Sequence, residues 1–95
     1  MITRIDGLGS AGGGKITFCV TTDENGADED IRVLLGGSTW STHVQTGPGT
    51  HCGFTIATGQ KGEHSVVLTA QTSGVTSAPW LLDLSSAGDD PTRFP

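Results

Sequence analysis

Apolar and polar residues alternate through His64-Ser65-Val66-Val67-Leu68-Thr69-Ala70, which puts Val66, Leu68 and Ala70 on one side of an extended chain. Gln71-Thr72-Ser73-Gly74 reads as a turn, and a second run follows over residues 75–84. Together they predict a β-hairpin. The same period of two governs residues 15–22, where Ile16, Phe18 and Val20 alternate with Thr17, Cys19 and Thr21. Residues 31–35 form the next strand and Gly36-Gly37 ends it. Residues 38–45, with Trp40 and Val44, are a less sharply alternating strand. Residues 50–57 are another, with Phe54 and Ile56 on one face. Residues 1–8 read as a first edge strand anchored by Ile2 and Ile5. Residues 9–14 read as a flexible glycine turn, 23–30 as an acidic loop and 46–49 as a turn. The count is about seven short strands with turns every 8–12 residues, the pattern of a two-sheet antiparallel β-sandwich. The domain spans residues 1–86, and residues 87–95 read as a flexible tail or linker. The expected core is Ile16, Phe18, Val20, Ile31, Val33, Leu35, Phe54, Ile56, Val66, Leu68, Ala70, Trp80, Leu82 and Leu84, centred on Phe18, Phe54, Val66 and Leu68.

Composition agrees with an all-β reading. The 95 residues fit one domain, and 15 glycines with abundant Thr and Ser suit tight turns and half-exposed strands. No segment carries the apolar spacing of an amphipathic helix. The net charge of −5 and five scattered cations argue against nucleic-acid binding. No apolar run is long enough to insert in a bilayer as a helix. The first six residues lack a secretory apolar stretch, so the chain is expected either to be used without such export or to be cut from a longer one.

The run His64-x-Val66-x-Leu68-x-Ala70, a turn at Ser73-Gly74, then Ser77-Ala78-Pro79 before Leu82 and Leu84 resembles the last two strands of fibronectin type III and related immunoglobulin-like domains. Those domains usually carry Tyr where His64 stands and a Trp on the third strand, which this chain lacks. The stretch Gly14-Lys15-Ile16-Thr17-Phe18-Cys19-Val20-Thr21-Thr22-Asp23-Glu24-Asn25-Gly26 resembles the opening of small fibronectin-like modules in bacteriophage structural proteins. The resemblance implies an immunoglobulin-like sandwich. It does not fix a function, because such sandwiches host many.

Several constellations imitate functional motifs. Gly9-x-x-x-x-Gly14-Lys15 copies most of a phosphate-binding loop, and Gly7-x-Gly9-x-x-Gly12 copies a dinucleotide fingerprint. Both need a helix to follow, whereas a β-run follows Lys15, and Ile16 stands where a magnesium-binding hydroxyl belongs. Residues 23–30 hold five of the ten acidic side chains, but the spacing fails the EF-hand pattern and reads as a solvated loop. Cys19 lies out of phase with Phe18 and Val20 and is expected to face outward. Cys52 lies in phase with Phe54 and is expected to face the core. Parity therefore predicts two unbridged thiols, and a bridge would require a bulge, which Gly53 could supply. His43, His51 and His64 fall on different elements, which makes no metal site, and no nucleophile sits beside a named base. No cofactor is expected.

Trp40, flanked by Ser and Thr, is the candidate contact for a ligand or partner, and Trp80 shares the inward phase of Leu82. The resulting expectation is a non-enzymatic structural or attachment module. Its setting is a bacteriophage virion, as a head-decoration, fibre or tail component, or an extracellular surface. Its partner is a capsid, fibre or neighbouring protein domain, or a surface glycan. The alternative is a carbohydrate-binding module appended to a secreted enzyme, with an exposed Trp40 stacking on sugar.

Overall fold

The computed structural model describes residues 1–87, and these are all-β with no helix. Eight strands run β1 Ile2–Gly12, β2 Lys15–Thr22, β3 Ala27–Leu35, β4 Ser38–Thr46, β5 Gly49–Ala57, β6 Glu63–Val66, β7 Leu68–Ala70 and β8 Trp80–Asp83. All named strand pairs are antiparallel. They form one sheet of order β1-β2-β5, a second of order β4-β3-β7, and a two-stranded pair β6-β8.

The period of two places most of the core where alternation puts it. Ile16, Phe18, Val20, Ile31, Val33, Ile56, Val66, Leu68, Leu82 and Leu84 are buried in one cluster. Each such side chain contributes about 1.5–3 kcal/mol by leaving water. Phe54 and Trp80 are only partly buried against that cluster, so Phe54 borders the core instead of centring it. Its ring lies 5.7 Å from that of Phe18.

Three segments depart from expectation. First, β1 continues through residues 9–12, and the turn shrinks to Gly13-Gly14. Register shifts after Ile2, after Asp6 and after Ser10 bulge this strand. They bring Ile2, Ile5 and Leu8, spaced by three, to one buried side. Gly14 is the pivot of the turn, at φ +80. Its N–H donates to Leu84 O at 3.0 Å, and its carbonyl accepts from Thr58 N at 3.0 Å and Thr58 Oγ1 at 2.6 Å. A Cβ there would lie 2.5 Å from Gly59 N, so no side chain fits. Second, the acidic stretch is a loop only to Gly26, and Asp28, Glu29 and Asp30 lie within β3. Third, the run 63–70 breaks at Val67. Its first half pairs with β8 and its second half with β3. At the break, Leu68 N donates to Ser77 Oγ at 2.9 Å, while Ser77 N donates to Leu68 O at 2.8 Å. The hydroxyl replaces a ladder carbonyl, and β8 proper starts only after Pro79, which has no N–H to give.

The cysteines correct the parity argument. Cys19 and Cys52 form a disulfide. The β2–β5 register passes from Phe18↔Phe54 to Cys19↔Cys52 and skips Gly53, which sits at φ +92. That bulge flips Cys52 out of the Phe54 phase and onto the face of Cys19. Cys19 is accordingly buried and Cys52 exposed, the reverse of what strict alternation gives. Ala87, the first residue of the segment read as a tail over 87–95, bridges to Ala11, and residues 88–95 lie outside the described residues.

Candidate functional site

The outward side of β3 and its neighbours carries the most distinctive side chains. On β3, Ile31, Val33 and Leu35 point inward, so Asp28, Asp30, Arg32 and Leu34 point outward. β4 adds Thr39, Ser41 and His43, and the β6–β7 run adds Glu63, Ser65 and Val67. Arg32, Leu34, Thr39, Ser65, Val67 and Thr69 line one shallow groove. On β8, Leu81 stands directly opposite Ser65, and Asp83 stands opposite Glu63. Leu34 is 66% exposed, Leu81 69% and Val67 39%, which makes this face the main site of large apolar side chains left in water. The Arg32 guanidinium is held by a hydrogen bond to the Gln71 side-chain oxygen.

At one end of this face, His43 lies between two carboxylates. Its Nδ1 is 2.8 Å from Asp30 Oδ1 and its Nε2 is 2.5 Å from Asp28 Oδ1. Both ring nitrogens must donate to satisfy both oxygens, which requires the imidazolium. The bond to Asp30 and then that to Asp28 raise the His43 pKa above its ordinary value of 6.5. The ladder sets this geometry, because Asp30 pairs directly with His43 across β3 and β4.

Glu29, the remaining acid of that run, faces inward and is buried. Its Oε1 accepts from Thr72 N at 3.0 Å, Ser73 N at 2.9 Å and Ser73 Oγ at 3.2 Å. It thus fixes the turn after β7 from 43 residues away in sequence. A buried carboxylate is tolerable only with such donors.

Trp40 stands on the inward phase of β4 opposite Val33 and packs half-buried against the core. The three histidines stay apart. His51 Nε2 contacts Pro48 O at 3.0 Å, and His64 Nε2 contacts Lys61 O at 2.9 Å. Among the described residues, no cluster of His, Cys, Asp and Glu has the arrangement to hold a metal ion. The glycine-rich loop that imitates a phosphate site is strand and two-residue turn, with β2 starting at Lys15.

The outward trio Leu34, Val67 and Leu81 escaped the reading by alternation. The signal was present as three apolar doublets, Leu34-Leu35, Val66-Val67 and Leu81-Leu82, since one member of each pair must face outward in a strand. No protein family, curated protein or solved structure matches the chain.

Proposed function

We propose that this chain is a non-enzymatic structural or attachment module with an immunoglobulin-like sandwich arrangement, working as a head-decoration, fibre or tail component of a bacteriophage virion. The observation that carries the reading is the placement of the first and last strands. β1 begins beside the turn at Asp23, where Asp23 N donates to Met1 O at 3.0 Å. β8 is followed by Ala87, which bridges to Ala11 at the far end of β1. Met1 and Ala87, the first and last described residues, therefore lie beside opposite ends of β1. That is the layout of a module set in line between neighbours.

Three further features support it. The orders β1-β2-β5 and β4-β3-β7, with β8 joined through β6, suit a two-layer sandwich in which β6 and β7 act as one strand. The His64 to Lys61 bond reproduces, with an imidazole, the link back to the backbone that Tyr makes at this corner in immunoglobulin-like domains. The Cys19–Cys52 bridge suits a particle or surface exposed to oxidising surroundings.

Mass spectrometry of purified particles, together with the neighbourhood of the encoding gene, tests the reading. Peptides of this chain in particles, and capsid or tail genes beside its own, are the expected result. Glycoside hydrolase genes as neighbours, with glycan binding lost on Trp40→Ala, would overturn it in favour of a carbohydrate-binding module.

A further inference from the structure

The outward face of β3, β6, β7 and β8 is built in tiers. Val33 pairs with Leu68 and Arg32 with Thr69, and Leu34 and Val67, next along the two chains, line one groove. Along the β6–β8 pair, Ser65 faces Leu81 and Glu63 faces Asp83. Four tiers follow one another, each two residues or roughly 6.6 Å from the next. Arg32 with Thr69 comes first, then Leu34 with Val67, then Leu81 with Ser65, then Glu63 with Asp83. Across these tiers the face carries Arg32 on one side, apolar side chains in the middle and two carboxylates on the other, while beyond Arg32 stand Asp30 and Asp28, both paired with His43.

Neither charged end has an ionic partner among the described residues. The ion pairs of the described chain involve Met1, Arg4, Asp6, Asp23, Asp28, Asp30 and His43. Among the described residues, the Arg32 guanidinium donates to the neutral Gln71 side chain. The Asp83 carboxylate accepts from Ser85 N at 3.1 Å. Glu63 and Asp83 are like charges directly opposite each other on a ladder, an arrangement that repels and that an outside cation would relieve.

We propose that this face is an isologous interface between two copies of the chain. A half-turn about an axis lying across the face, between the second and third tiers, sets the first tier of one copy on the fourth of the other. The second tier then lies on the third. Arg32 meets the Glu63 and Asp83 carboxylates twice over, and Leu34 with Val67 meets the tier of Leu81. One patch that is its own complement is what a closed two-fold dimer requires. The inference goes beyond the virion reading and holds in any setting of the module.

Sedimentation equilibrium of the full chain at low ionic strength tests it, with circular dichroism confirming that each variant is folded. The native chain is expected to dimerise reversibly with Kd of roughly 1–100 μM, as suits a small interface. Leu81→Asp should weaken the dimer by about 10-fold or more, by placing a charge in the apolar centre. Arg32→Glu alone, and Glu63→Lys with Asp83→Lys alone, should each weaken it by about 10-fold or more, because like charges then meet. An equimolar mixture of those two variants should recover a dimer, since each copy then offers what the other lacks. A native chain that stays monomeric to about 1 mM overturns the proposal and leaves the face to a partner of different sequence. A dimer indifferent to Leu81→Asp, or a mixture of charge variants no more associated than its components, overturns it too.

Discussion

Removing the cross-strand disulfide gives the sharpest test of the fold. Cys19 is buried and Cys52 exposed, so Cys19→Ala with Cys52→Ser opens the bridge without burying a polar atom. The bridge closes a loop of sequence separation 33. For that length, the loop-closure relation gives about 12.5 cal/mol/K, or about 3.7 kcal/mol at 25 °C. A domain of this size has about 5–15 kcal/mol in all, so the variant should stay folded in the cold and lose much of its margin. At about 4–8 °C per kcal/mol, Tm should fall by roughly 15–30 °C. Thermal melts by circular dichroism and urea midpoints read the loss directly. Reductant added to the native chain should reproduce the shift and leave the double variant unmoved. A loss below about 1 kcal/mol, or two thiols that alkylate in unreduced folded protein, would refute the bulged register at Gly53 together with the bridge.

Phe18→Ala empties the core and should cost about 3–5 kcal/mol. Phe54→Ala, at a half-buried site, should cost less, and the outward Thr55→Ala should stay within about 0.5 kcal/mol in the same urea titrations. Glu29→Ala leaves the Thr72 and Ser73 amides without their acceptor and should cost roughly 1.5–3 kcal/mol, with faster hydrogen exchange confined to the turn after β7. An NMR titration should place the His43 midpoint above 6.5, and Asp30→Asn should lower it more than Asp28→Asn, since the Asp30 bond is the larger cause. Because the folded value is the raised one, the stability His43 contributes is complete below about pH 6.5 and disappears as pH climbs through the folded midpoint. A midpoint unmoved by either substitution would mean the triad is not formed in solution.

The parts of the fold legible in the sequence were those governed by alternation alone. In β2 and β3, Ile16, Phe18, Val20, Ile31, Val33 and Leu35 are buried where a period of two puts them. The reading failed where a bulge slipped that period. Gly53 moved Cys52 onto the face of Cys19, and the bulges of β1 hid Leu8 in a spacing of three with the anchors Ile2 and Ile5. Glu29 was illegible for another reason. Its donors lie on a turn more than forty residues away, and nothing local marks a buried carboxylate among solvated ones. The outer face was half legible. The apolar doublets revealed that Leu34, Val67 and Leu81 had to go somewhere, but only the strand register shows that they gather on one face between Arg32 and the Glu63–Asp83 pair.

The bridge between β2 and β5 also decides how the molecule would yield under tension. If its two ends were drawn apart, β1 and the strands after β5 could peel away. The segment from Cys19 to Cys52, a sequence separation of 33, would stay looped behind a covalent tie. At up to about 3.6 Å per residue, roughly 120 Å of contour length is withheld from extension. Stretched in oxidising surroundings, the chain would stop short with β3 and β4 still inside the closed loop. Under a reductant the same pull would release that hidden length as one additional step.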